Sequence, residues 1–134
     1  MKTIDNKKFK EKLTLKARVN SFRNAFSGLV AILITEPNAR IHFAILIPVI
    51  IAGLFLKISP SDWIAITLAS GLVLSSECFN TAIEYLSDTI HPGYDLKIKK
   101  VKDISAAGVL ISAIISVITG LIVFIPEIKR ILQL

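Results

Sequence analysis

Cysteine is nearly absent from this chain. Cys78 stands alone, which excludes an internal disulfide and leaves the redox compartment open. Histidine is as scarce, with His42 and His91 far apart, so no Cys/His spacing of the zinc-holding kind exists. Glycine-rich phosphate loops are missing too. Neither G-x-x-x-x-G-K-[ST] nor the protein-kinase glycine pattern occurs among the six glycines, which excludes the common soluble nucleotide folds. Acidic residues are outnumbered, 10 against 16 Lys and Arg, for a formal net charge of +6. The first 40 residues hold no long apolar run and no small-residue cleavage site, so no cleaved leader is expected.

What the chain has in excess is apolar surface. It is 53% hydrophobic with a mean hydropathy of +0.66. Soluble domains reach about 45–50% even with glycine counted. At 134 residues it is expected to form one domain over 1–134, with a basic extension at 1–20. The basic charge lies early, in Lys2, Lys7, Lys8, Lys10, Lys12, Lys16, Arg18, Arg23 and Arg40. Beside long apolar runs this pattern fits anionic lipid headgroups better than nucleic acid.

From Ser21 onward Phe22, Phe26, Leu29, Val30 and Leu33 recur at helical spacing. The pattern predicts an amphipathic helix over about 10–34 lying in the membrane interface. Thr35-Glu36-Pro37-Asn38 breaks it, with Thr35 or Asn38 as the next cap. Three spans follow: Ile41–Leu56, Trp63 to about Ser76 continuing into a polar stripe, and Ala106–Ile125. Ser59-Pro60-Ser61-Asp62 forms the first turn, with Ser61 or Asp62 as the helix cap. Residues 91–105 form a basic loop, and Pro126 ends the last span. Gly108, Ser112, Ser116 and Gly120 repeat every four residues, a stripe suited to a closely approaching helix. The N-terminal segment and the 91–105 loop carry nine and four Lys/Arg, against one in 57–62. Both are therefore expected on the cytoplasmic side.

The informative stretch is the polar stripe. Glu77, Asn80, Glu84 and Asp88 fall within about 80° of one helix face. Counted at 1.5 Å per residue from Trp63, Glu77 lies about 21 Å deep and Glu84 about 32 Å. With a hydrocarbon core of about 30 Å, the stripe runs from hydrocarbon to water. Ionisable residues at such depth mark function by default. A plainer reading makes Glu77 a structural partner of a neighbouring helix. The depth gradient suits chemistry between a lipid headgroup and a soluble reagent. Glu36 and Glu84, at similar depth, offer hard oxygens for Mg²⁺. Lys102-Asp103 sits at the same boundary, where the lysine can neutralise phosphate. Glu77, the deepest, is the candidate general base for a lipid hydroxyl. These parts suggest phosphoryl transfer from a Mg-nucleotide to a lipid alcohol. The rival reading is a proton-coupled small-molecule transporter with Glu77 as the proton carrier. A third is a membrane subunit that only packs. A phosphate-side lysine favours the first.

Two blocks carry a resemblance: Glu77-x-x-Asn80-Thr81-Ala82-Ile83-Glu84-x-x-x-Asp88, and Lys102-Asp103-x-x-Ala106-Ala107. Together they resemble the small prokaryotic diacylglycerol kinase family, which includes the undecaprenol kinases. The likeness covers about residues 20–126. Ser21-Phe22-x-x-Ala25-x-x-Gly28 and Glu36-x-x-x-Arg40-Ile41-His42 look like its undecaprenol-kinase branch. The resemblance implies an all-α integral membrane protein of the bacterial inner membrane, with a surface helix and three transmembrane helices, assembled as a homotrimer with shared active sites. It implies ATP as co-substrate, Mg²⁺, and diacylglycerol or undecaprenol as acceptor. Glu77 is then the catalytic base, and Glu36 and Glu84 are the metal ligands. Asn80, Asp88, Lys102 and Asp103 line the nucleotide and phosphate site, joined by Arg18 and Asn24. Asn24 stands where some members place an aromatic residue. Ser21 joins Glu77 at the lipid substrate.

Overall fold

The computed structural model describes residues 14–133. The helix start expected near residue 10, and the basic extension up to residue 13, lie outside the described residues. Those described form two units, 14–35 and 36–133. Every regular element among them is an α-helix.

The first unit is helix α1, Leu15–Thr35. None of its residues is buried, and Leu15, Val19, Phe22, Phe26 and Ile34 are exposed. Thr14 Oγ1 accepts from the Ala17 N–H at 3.2 Å and so covers one orphan donor of the first turn.

The second unit is a bundle of three helices, each long and apolar enough to cross a membrane: α2, Pro37–Leu56; α3, Pro60–Ile90; and α4, Leu96–Leu132. Helix α2 opens with Pro37 in its first turn, where a missing N–H costs nothing. Its N-cap is Glu36, not Thr35 or Asn38. Glu36 sits in the extended region that a following proline enforces, without a side-chain cap bond. Thr35 instead donates back to the Ala31 carbonyl at 3.1 Å. Lys57 closes α2 at φ 54°, its N–H bonded to the Gly53 carbonyl. Gly53 is required there: a Cβ would stand 2.8 Å from Trp63 Cη2 and 3.1 Å from Ile58 Cδ1.

Helix α3 is capped by Ser59, two or three residues before the expected Ser61 or Asp62. Ser59 Oγ accepts from the Asp62 N–H, and Asp62 Oδ2 accepts from the Ser59 N–H, both at 3.2 Å. This reciprocal pair is a capping box. As expected, α3 stops at His91, before Pro92.

The largest correction concerns α4. The expected loop over 91–105 shrinks to residues 91–95, because Asp95 caps a helix that starts at Leu96. Asp95 Oδ1 accepts from Lys97 N at 2.7 Å and Ile98 N at 3.0 Å. These N–H bonds, Ile98's first, hold the Asp95 carboxyl below its ordinary value. Pro126 does not end the helix either, which runs on to Leu132. Proline cannot donate to the turn before it, but Glu127 and Arg130 pair across the next turn and Arg130 Nη2 reaches the Leu56 carbonyl at 3.4 Å.

Helix α3 packs mainly on α4 and less on α2. The closed core lies at the Lys57–Ser59 turn, where Ile58, Ile66 and Val123 are buried against Val49, Leu56, Trp63 and Phe124. Elsewhere large apolar side chains such as Ile51, Phe55, Leu68, Phe79 and Ile122 stay exposed. Water does not tolerate that much contiguous apolar surface on a monomer; hydrocarbon does.

Candidate active site

The second half of α3 is where burial and polarity coincide. Glu77 is 2% exposed, Asn80 7%, Thr81 3% and Ser87 4%. The helix repeat brings 77, 80, 81 and 84 onto adjoining rows, and α2 and α4 cover them. Ser112 of α4, 2% exposed, hydrogen-bonds Ser76 at 2.9 Å and fixes the register of the two helices just beside Glu77. Ser112 thus spends its place in the small-residue stripe on α3 of its own chain. Gly108 and Gly120 leave open space where a Cβ would stand.

Along the stripe the partners change with depth. At Glu77 the neighbour is His42 of α2, its Nε2 3.3 Å from Oε1. The approach lacks hydrogen-bond alignment, and Oε1 is left buried without a hydrogen bond. One turn on, Asn80 Nδ2 donates to Glu84 Oε1 at 2.9 Å, while Asn80 Oδ1 has no partner. Thr81 Oγ1 is likewise buried without a hydrogen bond. At the open end Lys102 Nζ bridges both oxygens of Asp88, at 3.0 and 3.1 Å, tying α4 to α3. Asp103, one residue on, turns to Lys99 instead, both being exposed. The fork-like Lys102–Asp88 contact places the lysine ammonium at the open end of the stripe.

Glu36, at the head of α2, is half-buried. It and Glu84 lie within Coulombic range of Glu77. The bundle therefore gathers Glu36, Glu77, Asn80, Glu84, Asp88 and Lys102 at one end. Arg18, Ser21 and Asn24 are exposed on α1, three residues apart along one side, and Ser21 donates to the Ala17 carbonyl at 3.0 Å. His42 was missed as a site residue, since a histidine near the end of a span reads first as an interface residue. Its signal was a titratable side chain on an otherwise apolar stretch of α2. Thr81 carried none, because threonine is common in spans.

Among the described residues, no three His, Cys, Asp or Glu side chains converge on a metal position. The donor set still suits Mg²⁺, which is usually held by one or two carboxylates together with substrate phosphates. Asn80 Oδ1, a buried oxygen with no donor, and the Glu84 carboxylate bonded to the same amide are of the right hardness.

A cleft of about 360 Å³ opens between α2, α3 and α4 on the Glu77 side of the closed core. His42 stands in its wall with Ile45, Leu46, Val73, Leu74 and Val117, so the histidine touches both the cleft and the carboxylate.

Comparison with known proteins bears on this arrangement directly. The family profile of prokaryotic diacylglycerol kinases matches residues 23–124, a stretch that holds every residue of the site on the bundle. The chain is 36% identical over 107 residues to an undecaprenol kinase of Bacillus subtilis, covering 80% of this chain and 87% of that protein. It is also 36% identical over 107 residues to a diacylglycerol kinase of Synechocystis, covering 79% of this chain and 61% of that protein. A profile match across three quarters of the sequence, with relatives above 30% identity, has one meaning: the chain belongs to the prokaryotic diacylglycerol kinase family.

Proposed function

We propose that the protein is an ATP-dependent membrane lipid kinase, transferring the γ-phosphoryl group of ATP to the hydroxyl of diacylglycerol or undecaprenol. The observation that carries this reading is Glu77: a carboxylate 2% exposed, on a membrane-length helix, within the family match. Both relatives are named as lipid kinases, one for each acceptor. Nothing among them supports a proton-coupled transporter.

In the proposed reaction Glu77 takes the proton of the acceptor's O–H as that oxygen attacks Pγ. The new O–Pγ bond forms as the bond from Pγ to the β-bridging oxygen breaks, and ADP leaves. Lys102 meets the charge on the phosphates, and Asp88 holds its ammonium in place. Asn80 and Asp103 line the nucleotide site; on α1, Arg18 and Asn24 are the proposed nucleotide-binding residues. Glu36 and Glu84 would hold Mg²⁺, which would supply charge neutralisation to the phosphates when bound. Ser21 contacts the acceptor headgroup. The cleft supplies apolar walls beside Glu77, where the hydrocarbon of such an acceptor avoids water.

The protein is taken as multi-pass in the bacterial cytoplasmic membrane, with the N-terminus and the 91–95 connection inside and α1 in the interface. The basic residues Lys97, Lys99, Lys100 and Lys102 in the first turns of α4 support that orientation. The working unit is a homotrimer with sites shared between subunits. Supporting this, one three-helix bundle leaves most of its large side chains exposed, and Gly108 and Gly120 leave room for another helix. The whole of 1–134 acts as one kinase domain.

The test is transfer of labelled γ-phosphate from MgATP to a panel of diacylglycerol and undecaprenol in mixed micelles. Phosphorylated lipid is expected, and Glu77→Gln should lower kcat by about 10³-fold or more without unfolding the protein. A Glu77→Gln enzyme of normal rate removes the base. A panel without any labelled lipid removes kinase activity toward these acceptors.

A further inference from the structure

Two polar groups meet inside the bundle, Glu77 and His42, and only Glu77 has an assigned role. The imidazole Nε2 lies 3.3 Å from Glu77 Oε1, joining α2 to α3 across a side-chain pair that is 22% exposed on the histidine and 3% on the glutamate. A buried carboxylate oxygen without a donor is costly, more so than a neutral acceptor. Ser76 is taken by Ser112, and the Asn80 amide is taken by Glu84. His42 is the donor that the fold brings to Oε1. The poor alignment found in the free chain is usual for catalytic contacts, which tighten when substrate binds.

His42 also lines the 360 Å³ cleft, so the ring stands between the apolar walls and the carboxylate. An alcohol whose tail occupies those walls brings its hydroxyl past the imidazole to reach Glu77. From this geometry we infer that His42 is a positioning residue for the kinase reaction: its Nε2–H holds Glu77 Oε1 and turns the carboxylate toward the acceptor hydroxyl. The inference rests on the general-base reading of Glu77. It gives α2 a role in the chemistry beyond its carboxylate at the head. A neutral donor at the Nε2 position would serve, so the role needs no charge on the ring.

The test uses the full-length enzyme in mixed micelles, with MgATP and whichever of diacylglycerol or undecaprenol the wild type phosphorylates. His42→Phe keeps ring volume and removes the donor; it is expected to lower kcat about 10²-fold and leave the KM for MgATP within about twofold. His42→Gln, whose amide reaches near the Nε2 position, is expected to stay within about tenfold of wild type. His42→Asn, too short to reach, should fall with Phe. Added to Glu77→Gln, His42→Phe should change the residual rate less than about threefold, since the two act through one group. Elution volume and melting temperature in detergent confirm that each variant is folded; if Phe is not, the Gln and Asn pair decides. Full kcat in His42→Phe, equal loss in Gln and Asn, or independent multiplying losses with Glu77→Gln would each overturn the inference. A wild-type rate in Glu77→Gln alone would instead overturn the general-base reading beneath it.

Discussion

The two ends of the three-helix bundle are built to opposite rules. At the Lys57–Ser59 end most features are satisfied: a capping box closes α3, Gly53 gives way to Trp63, Ile58, Ile66 and Val123 fill the space between helices, and Glu127 Oε2, buried without a hydrogen bond, is ion-paired with Arg130. At the other end Glu77 Oε1, Asn80 Oδ1 and Thr81 Oγ1 are buried without hydrogen bonds. Buried polar atoms without partners are rare, and each unmet one destabilises the fold. The contrast teaches where the molecule is held together and where the candidate site leaves buried polar groups unpaired.

That division makes predictions. The largest effect belongs to the open end. Lys102→Met keeps the stem and removes the ammonium that bridges Asp88; kcat/KM for MgATP should drop about 10²-fold, read by initial rates. Melting in detergent should hardly move, because the pair is open to solvent, which screens it. A stability loss as large as the activity loss would break the comparison.

At the closed end the order reverses. Gly53→Val would press side-chain carbon into Trp63 and Ile58, costing about 1–3 kcal/mol. A lowered melting temperature with normal kcat in the folded fraction is expected. Ser59→Ala removes one half of the capping box and should cost about 1 kcal/mol, again with kcat unchanged.

The smallest effect sharpens the boundary between the ends. Asp95 caps α4 with its carboxyl held below the ordinary value by the Ile98 and Lys97 N–H groups. A depressed carboxyl stabilises the folded state above its unfolded value, about 3.9, and that contribution is lost as pH falls below it. Stability measured from pH 6 down to 3 should therefore fall more in wild type than in Asp95→Asn, which caps without titrating. Parallel curves would remove the cap's contribution.

Much of the site was legible in sequence. Glu77, Asn80, Glu84 and Asp88 fall on one face of any helix through them, and the structure keeps that helix unbroken to Ile90. The Lys102–Asp88 contact needed more: the two are 14 residues apart, and only the short 91–95 connection brings them level. Reading 91–105 as a loop missed this, because its lysines outweighed Ile98, Val101 and Ile104, three residues apart, behind an Asp95 cap. The expected stop at Pro126 failed for a related reason. A proline removes one hydrogen bond, and the turns that follow it supply other bonds.

The sequence by itself determined what local chemistry controls. Its long apolar runs set three helices long and apolar enough to cross a membrane. The spacing of acids on α3 set a polar face, because helical periodicity is a property of the backbone. What only the tertiary structure decided are contacts between elements. Ser112 was assigned to Ser76, Lys102 to Asp88, and His42 to Glu77. Those pairings depend on how α2 and α4 slide and turn against α3. That is set by side-chain packing summed over the whole interface, and no single segment of sequence records it.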